Sequence, residues 1–191
     1  MRFAHDIQDY IEREIQVLRA LSVEEIDTLL NVLLAAYERD ASIYIMGNGG
    51  SAATASHFCC DFNKGVSGGL KRKFRFVSLT DNVPTVLALA NDVGYEDIFA
   101  LQLENVLEPD DVVIGISGSG NSPNVLKAME YANAVGSVMV GITGYGGGKL
   151  RKLARHSVNA NIDDMQISED IHMILDHMMM KILYRQLNER D

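Results

Sequence analysis

The chain reads as a three-layer α/β/α sandwich built on a doubly wound, five-stranded parallel sheet, preceded by N-terminal helices. Two observations predict this. From Ser42 onward, short apolar runs alternate with helical patterns. Three of those runs end in small, Gly-rich or hydroxyl-rich turns that feed a helix, the usual βα connection of a parallel sheet.

The elements follow in order. Ile7, Ile11, Ile15 and Leu18 recur at helical spacing and predict a helix over 6–20. Ser22 followed by Glu25 is a capping-box pattern, and Ile26, Leu29, Leu30, Leu33 and Leu34 form the apolar face of a second helix. Strands are expected at 43–46, 76–79, 112–116 and 138–142, with a weak fifth near Val158. Helices are expected after the first four, reaching about 62, 89 and 134 after the first three and short after the fourth. A long one runs over 169–187. No composition break marks a second domain, so residues 1–191 are expected to form one. The first forty residues are its helical segment. The first helix packs either against another subunit, the favoured reading, or on its own domain. Met178, Met179 and Met180 belong to the apolar side of the long helix and read as packing.

Bulk properties exclude several classes. The 191 residues are 47% hydrophobic and 23% charged, a globular balance, and the formal net charge of −9 speaks against nucleic-acid binding. The one basic cluster, Lys71, Arg72, Lys73 and Arg75, reads as a solvated strand edge. Cys59 and Cys60 are adjacent, which forbids an unstrained disulfide between them and fits a reducing compartment. No apolar signal core or membrane-length stretch is present, so a soluble, cytoplasmic protein is expected.

The chemistry is concentrated in two turns. Asn48–Ser51 and Ser117–Ser122 each present backbone N–H groups ahead of a helix N-terminus. Ser117, Ser119 and Ser122 add hydroxyls that can converge on one phosphate. A dinucleotide is excluded because the acidic residue that should end the next strand is missing. A P-loop is excluded because Gly148-Lys149 is followed by Leu150 instead of a hydroxyl. A small phosphorylated metabolite is left. His57 and Asp61 are four apart, share one helix face, and can jointly hold a cation or a proton, or form a plain surface pair. Glu169 and His177 are eight apart, about 12 Å of helical rise, and meet only if 169 precedes the helix or both lean inward.

Several motifs taken together resemble the phosphoheptose (sedoheptulose 7-phosphate) isomerase family of the sugar-isomerase (SIS) domain superfamily. They are Gly47-Asn48-Gly49-Gly50-Ser51-Ala52-Ala53 with His57-Phe58, Ala90-Asn91-Asp92, and Gly115-Ile116-Ser117 through Gly120-Asn121-Ser122-Pro123-Asn124-Val125. Thr143-Gly144, Gly147-Gly148-Lys149-Leu150 and the His172…His177 helix are similar too. The resemblance implies the SIS fold and a homotetramer with active sites between subunits. It implies that Asn48, Gly49, Gly50, Ser51, Asp61, Asn91, Asp92, Ser117, Gly118, Ser119, Ser122 and Glu169 bind the sugar phosphate. Asp61 and His177 would be catalytic, and His57, Asp61, Glu169 and His177 would hold a zinc ion. Three departures stand out: Asp61 replaces the family's Glu, Glu169 stands where Gln is usual, and Gly118 replaces a Thr. The implied reaction is aldose–ketose isomerisation of sedoheptulose 7-phosphate to D-glycero-D-manno-heptose 7-phosphate through an enediolate. The competing expectations are a non-catalytic sugar-phosphate sensor, a protein that binds a replication initiator, and an isomerase of another sugar phosphate.

Overall fold

The computed structural model describes residues 2–188; the expected domain span of 1–191 reaches past these at both ends. Five parallel strands, β1 (Ile43–Met46), β2 (Phe76–Ser78), β3 (Val112–Ser117), β4 (Val138–Gly144) and β5 (His156–Ala160), form one sheet in the order β2-β1-β3-β4-β5. The strand order reverses between β1 and β3, where Ile43 pairs with Val112 and Met46 with Gly115. An open α/β sheet binds ligands just beyond such a reversal, outside the carboxyl ends of the strands. β1 and β3 are buried along their whole length, as their unbroken apolar runs require of strands covered on both faces.

Alternate residues feed two cores. Ile43, Ile45, Ile114, Ile116 and Ile142 pack under α1 (Ala4–Ala20), α2 (Val23–Glu38), α3 (Gly50–Cys60) and α8 (Met165–Asn188). Tyr44, Met46, Val113 and Met139 pack against α5 (Ala100–Leu103), α6 (Pro123–Val135) and α7 (Gly148–Leu153) on the other face. The remaining helix, α4 (Val83–Asp92), buries none of its residues fully.

Local sequence explains most boundaries. Ser22 caps α2 by accepting the Glu25 N–H at 3.1 Å. The reciprocal half of the expected capping box does not form: Glu25 turns away to pair with Arg151 of α7 at 2.8 Å. The long helix begins at Met165, earlier than the hydrophobic pattern predicts, because Asp164 accepts the N–H groups of Gln166 and Ile167 at 3.1 and 3.3 Å. The helix after β1 ends as expected near residue 62, but it passes into a wider, π-helical turn over Asp61–Val66. In an α-helix every fourth residue overshoots the same face by about 40°. The wider turn undoes that drift and keeps Phe58, Phe62 and Val66, all fully buried, in one row on the sheet.

The N-terminal helix buries only Val17, leaving Phe3, Ile7 and Ile11 exposed. The basic cluster lies just ahead of β2, an edge strand, with the Arg72 guanidinium stacked 4.7 Å over the Tyr37 ring. Among the described residues, no helix is long and apolar enough to cross a membrane.

Candidate active site at the reversal of strand order

The two glycine- and serine-rich turns leave β1 and β3 side by side at the reversal and line one cavity of about 280 Å³. Asn48, Gly49, Gly50 and Ser51 form one wall, Ser117, Gly118, Ser119 and Ser122 another, and Met165 and Glu169 of α8 close the third. Ser51 and Ser119, 68 positions apart by their numbering, thus face the same space.

Backbone conformation shapes this cavity. Gly49 caps α3 at φ +56° and ψ −121°, a conformation open in practice only to glycine. Gly120 sits at φ +66°, and a side chain there would strike the Gly147 carbonyl. Gly49 gives α3 no side-chain cap, and the Gly50 and Ser51 that open this helix line the cavity; α6 instead begins with Pro123, which has no N–H, and its Val125 N–H is taken by the Asn124 side chain. The Ser117 hydroxyl lies 3.0 Å from that of Ser122 and accepts the Gly120 N–H at 3.1 Å.

Asn91 and Asp92 are elsewhere. They stand exposed at the end of α4, hydrogen-bonded to one another at 2.7 Å, and do not line the cavity. Glu169 does line it, with its carboxylate against Gly50 at the start of α3, where a side chain on Gly50 would collide with it. Burial raises the Glu169 carboxyl above its usual range, and the neighbouring Asp170 charge adds to the shift.

Further along the seam between α3 and α8 lies a second group. The ring nitrogens Nε2 of His57 and His177 face each other at 3.0 Å, and Asp61 Oδ2 lies 3.6 Å from the first and 4.0 Å from the second. Asp176 joins them: each of His57, Asp61, Asp176 and His177 offers a donor atom within 4.8 Å of the others. Glu169, grouped with this set on sequence grounds, is not part of it; it stands inside α8 two turns before His177 and faces Gly50. Asp176 is fully buried, and burial pushes its carboxyl up to about 8, with Asp61 adding to the shift. His172, one turn earlier, is also fully buried, and burial lowers its pKa.

The donor set fits a divalent transition-metal ion. Imidazole and carboxylate are the ligands zinc takes beside thiolate. Donors about 2.0–2.1 Å from a tetrahedral ion stand about 3.3 Å from each other, and the three distances at this cluster bracket that value.

Sequence reasoning missed Asp176 and Asn124. Asp176 is a charged residue in the buried register of Ile171, Leu175, Met179 and Leu183, a signal that was readable. Asn124 is buried and joins the two turns through Asn48. Cys59 is half-buried with its thiol pushed up to about 12 by burial, so it is protonated at neutral pH, whereas Cys60 is exposed.

A serine-lined cavity beside a histidine–carboxylate cluster, at the reversal of strand order, defines an α/β protein built to bind a small ligand. Comparison with known proteins agrees. The SIS domain family profile matches residues 6–144. The phosphoheptose isomerase of Helicobacter pylori (strain P12) is 32% identical over 193 residues, covering 97% of this chain and 100% of that one. A phosphoheptose isomerase of Campylobacter jejuni is 35% identical over 155 residues, covering 80% and 81%. The structure of phosphoheptose isomerase GmhA from Neisseria gonorrhoeae superposes with a TM-score of 0.85 at 27% identity, over 95% of this chain and 96% of that one. The chain belongs to the SIS-domain family and, within it, to the phosphoheptose isomerases, which are aldose–ketose isomerase enzymes.

Proposed function

We propose that this protein interconverts sedoheptulose 7-phosphate and D-glycero-D-manno-heptose 7-phosphate. The observation that carries the reading is the pairing, on one α3–α8 seam, of the serine-lined cavity with the His57–Asp61–His177 cluster. His57 stands seven residues after Gly50, about 10 Å of helical rise. A seven-carbon sugar phosphate, with C–C bonds of about 1.5 Å, extends about 10 Å from phosphorus to C1. The phosphate would sit on the Ser117, Ser119 and Ser122 hydroxyls and the first-turn N–H groups of α3. Binding energy at that end then orients the reacting end.

Asp61 takes the proton from C1 of the ketose and returns it to C2 of the enediolate, while His177 moves the proton between the two oxygens. The sum is an isomerisation with no atom gained or lost. His57, Asp61 and His177 would hold a zinc ion, whose contribution is Lewis-acid polarisation of the carbonyl. The exposed apolar residues of α1 and the exposed Val83, Leu87, Val93 and Tyr95 around α4 support assembly into a homotetramer. In it residues 1–191 act as one domain, the first forty make subunit contacts, and Asn91 and Asp92 reach substrate across an interface. Free cysteines and a phosphorylated substrate support a cytoplasmic location.

Incubating the protein with sedoheptulose 7-phosphate, with added zinc and with a chelator, tests the reading. Expected is formation of the aldose, seen by NMR, and its loss in chelator. Binding without turnover in either condition would reject catalysis and assign a sensor.

A further inference from the structure

We propose that Asp176 is a ligand of the cation held between α3 and α8, completing a set of two imidazoles and two carboxylates with His57, Asp61 and His177, and that Glu169 lies outside that set. The inference rests on the cation-site part of the function proposed above and is independent of the reaction.

Asp176 is fully buried, and among the described residues neither of its carboxylate oxygens has a hydrogen-bond partner. A carboxylate in that position is costly unless a charge or a donor answers it. The groups that share its space are His57, Asp61 and His177, each with a donor atom within 4.8 Å of the others. None is placed to neutralise it in their present pairing, because the two imidazoles face each other at 3.0 Å and Asp61 carries like charge. A divalent cation at their midst answers all four at once. Two carboxylates against one dication leave no net charge, which suits a site whose inner wall is core. Imidazole with carboxylate selects a first-row transition ion such as zinc over calcium or magnesium.

Glu169 is excluded by where it stands. It is two helical turns before His177, about 12 Å of rise, and its carboxylate is against Gly50 in the phosphate cavity. The second carboxylate of the set is therefore Asp176, beside His177, and Glu169 is left to the cavity.

The test uses Zn²⁺ alone, with no sugar. A competition titration against a chromophoric chelator and a thermal-shift series are run on the metal-stripped wild type and on Asp176→Asn, Asp176→Leu and Glu169→Gln. The wild type should bind one equivalent per chain and melt at a higher temperature with zinc. Asp176→Asn, which preserves shape, should bind at least about tenfold more weakly. Asp176→Leu should melt above the stripped wild type, because an unanswered buried carboxyl group is gone, yet show a smaller zinc-induced shift than the wild type. Glu169→Gln should match the wild type in zinc affinity. The proposal is overturned if Asp176→Asn keeps wild-type affinity, if Glu169→Gln loses as much as Asp176→Asn, or if the wild type binds no zinc. If Asp176→Leu does not fold, the Asn variant decides. Zinc binding through Asp176 with no turnover of sedoheptulose 7-phosphate would reject the reaction and keep the ligand.

Discussion

Asn48 and Asn124 exchange two side-chain hydrogen bonds of 2.9 Å, tying the turn after β1 to the first turn of α6. Tyr95 donates a third, at 2.8 Å, to the Asn48 oxygen, and the Asn124 oxygen also accepts the Val125 N–H at 3.0 Å. The two walls of the cavity are therefore held in register by one amide pair, buried at Asn124 and half-buried at Asn48. Removing it with Asn124→Ala strands the Asn48 amide. We expect KM for the sugar phosphate to rise about 5- to 30-fold, the equivalent of about 1–2 kcal/mol, with kcat within about twofold. Steady-state kinetics reads this directly; a fall in kcat with unchanged KM would contradict the positioning role.

Asp61→Asn removes the proposed base, and with it one proposed zinc ligand, without touching the cavity. Turnover should fall by about 10²- to 10⁴-fold, the usual worth of a positioned acid–base group, while inorganic phosphate still competes for the cavity as in the wild type. Retained turnover would take Asp61 out of the mechanism.

Two glycines of the cavity should respond differently to alanine. At Gly50 the new methyl meets only the tip of the Glu169 side chain, which can swing away, and position 50 is already helical. Gly50→Ala should fold with a Tm close to wild type and lose phosphate affinity, because the pocket wall has moved. At Gly120 the methyl meets the backbone carbonyl of Gly147, and φ is +66°. Gly120→Ala should lose about 1–3 kcal/mol or more of stability. Thermal melts of the two variants side by side give the comparison.

Acid should weaken the start of α8. Hydrogen bonds from the Ile167 backbone first, then the Arg13 guanidinium at 2.7 Å, hold the Asp164 carboxyl below the usual aspartate range. Its folded pKa lies under the unfolded one. The stabilisation is therefore complete above about pH 3.8 and is lost as pH falls through the folded value. Asp164→Ala should cost about 1 kcal/mol at pH 7 from the lost cap, a gap that narrows on acidification below that point. Asp164→Asn, which still caps, should cost less at neutral pH. Urea unfolding at pH 7 and pH 3 checks both.

The strands and the two glycine- and serine-rich turns were legible because their signals are local. Ile43–Met46 and Val112–Ser117 are unbroken apolar runs, and the chemistry that follows each is written in consecutive residues. The reversal of strand order between them, which turns two loops into one cavity, depends on pairings between distant segments. The His57–His177 approach was available only through resemblance, since 120 positions separate the two residues. Glu169 stands apart from them for a helical reason: two residues eight apart lie two turns apart when both belong to the same helix. Asp176 carried its own clue, an acid in an apolar register, but its neighbours come from α3 and the turn that follows it. The stretch between α4 and β3, with its short turn at Tyr95–Asp97 and α5, has no strong periodicity, and its order comes from packing against α6.

The wide turn at Asp61–Val66 makes this stretch tolerant of a change in chain length. A π-helical turn takes up one residue more than an α-turn while the segments on either side keep their facing. Excising one position between Asn63 and Gly65 would let the stretch wind as an ordinary α-helix, with Phe62 and Val66 three apart and still on one face. A one-codon deletion here is thus the loss of a bulge, and relatives can keep both the His57–Asp61 face and the aromatic row with one residue fewer.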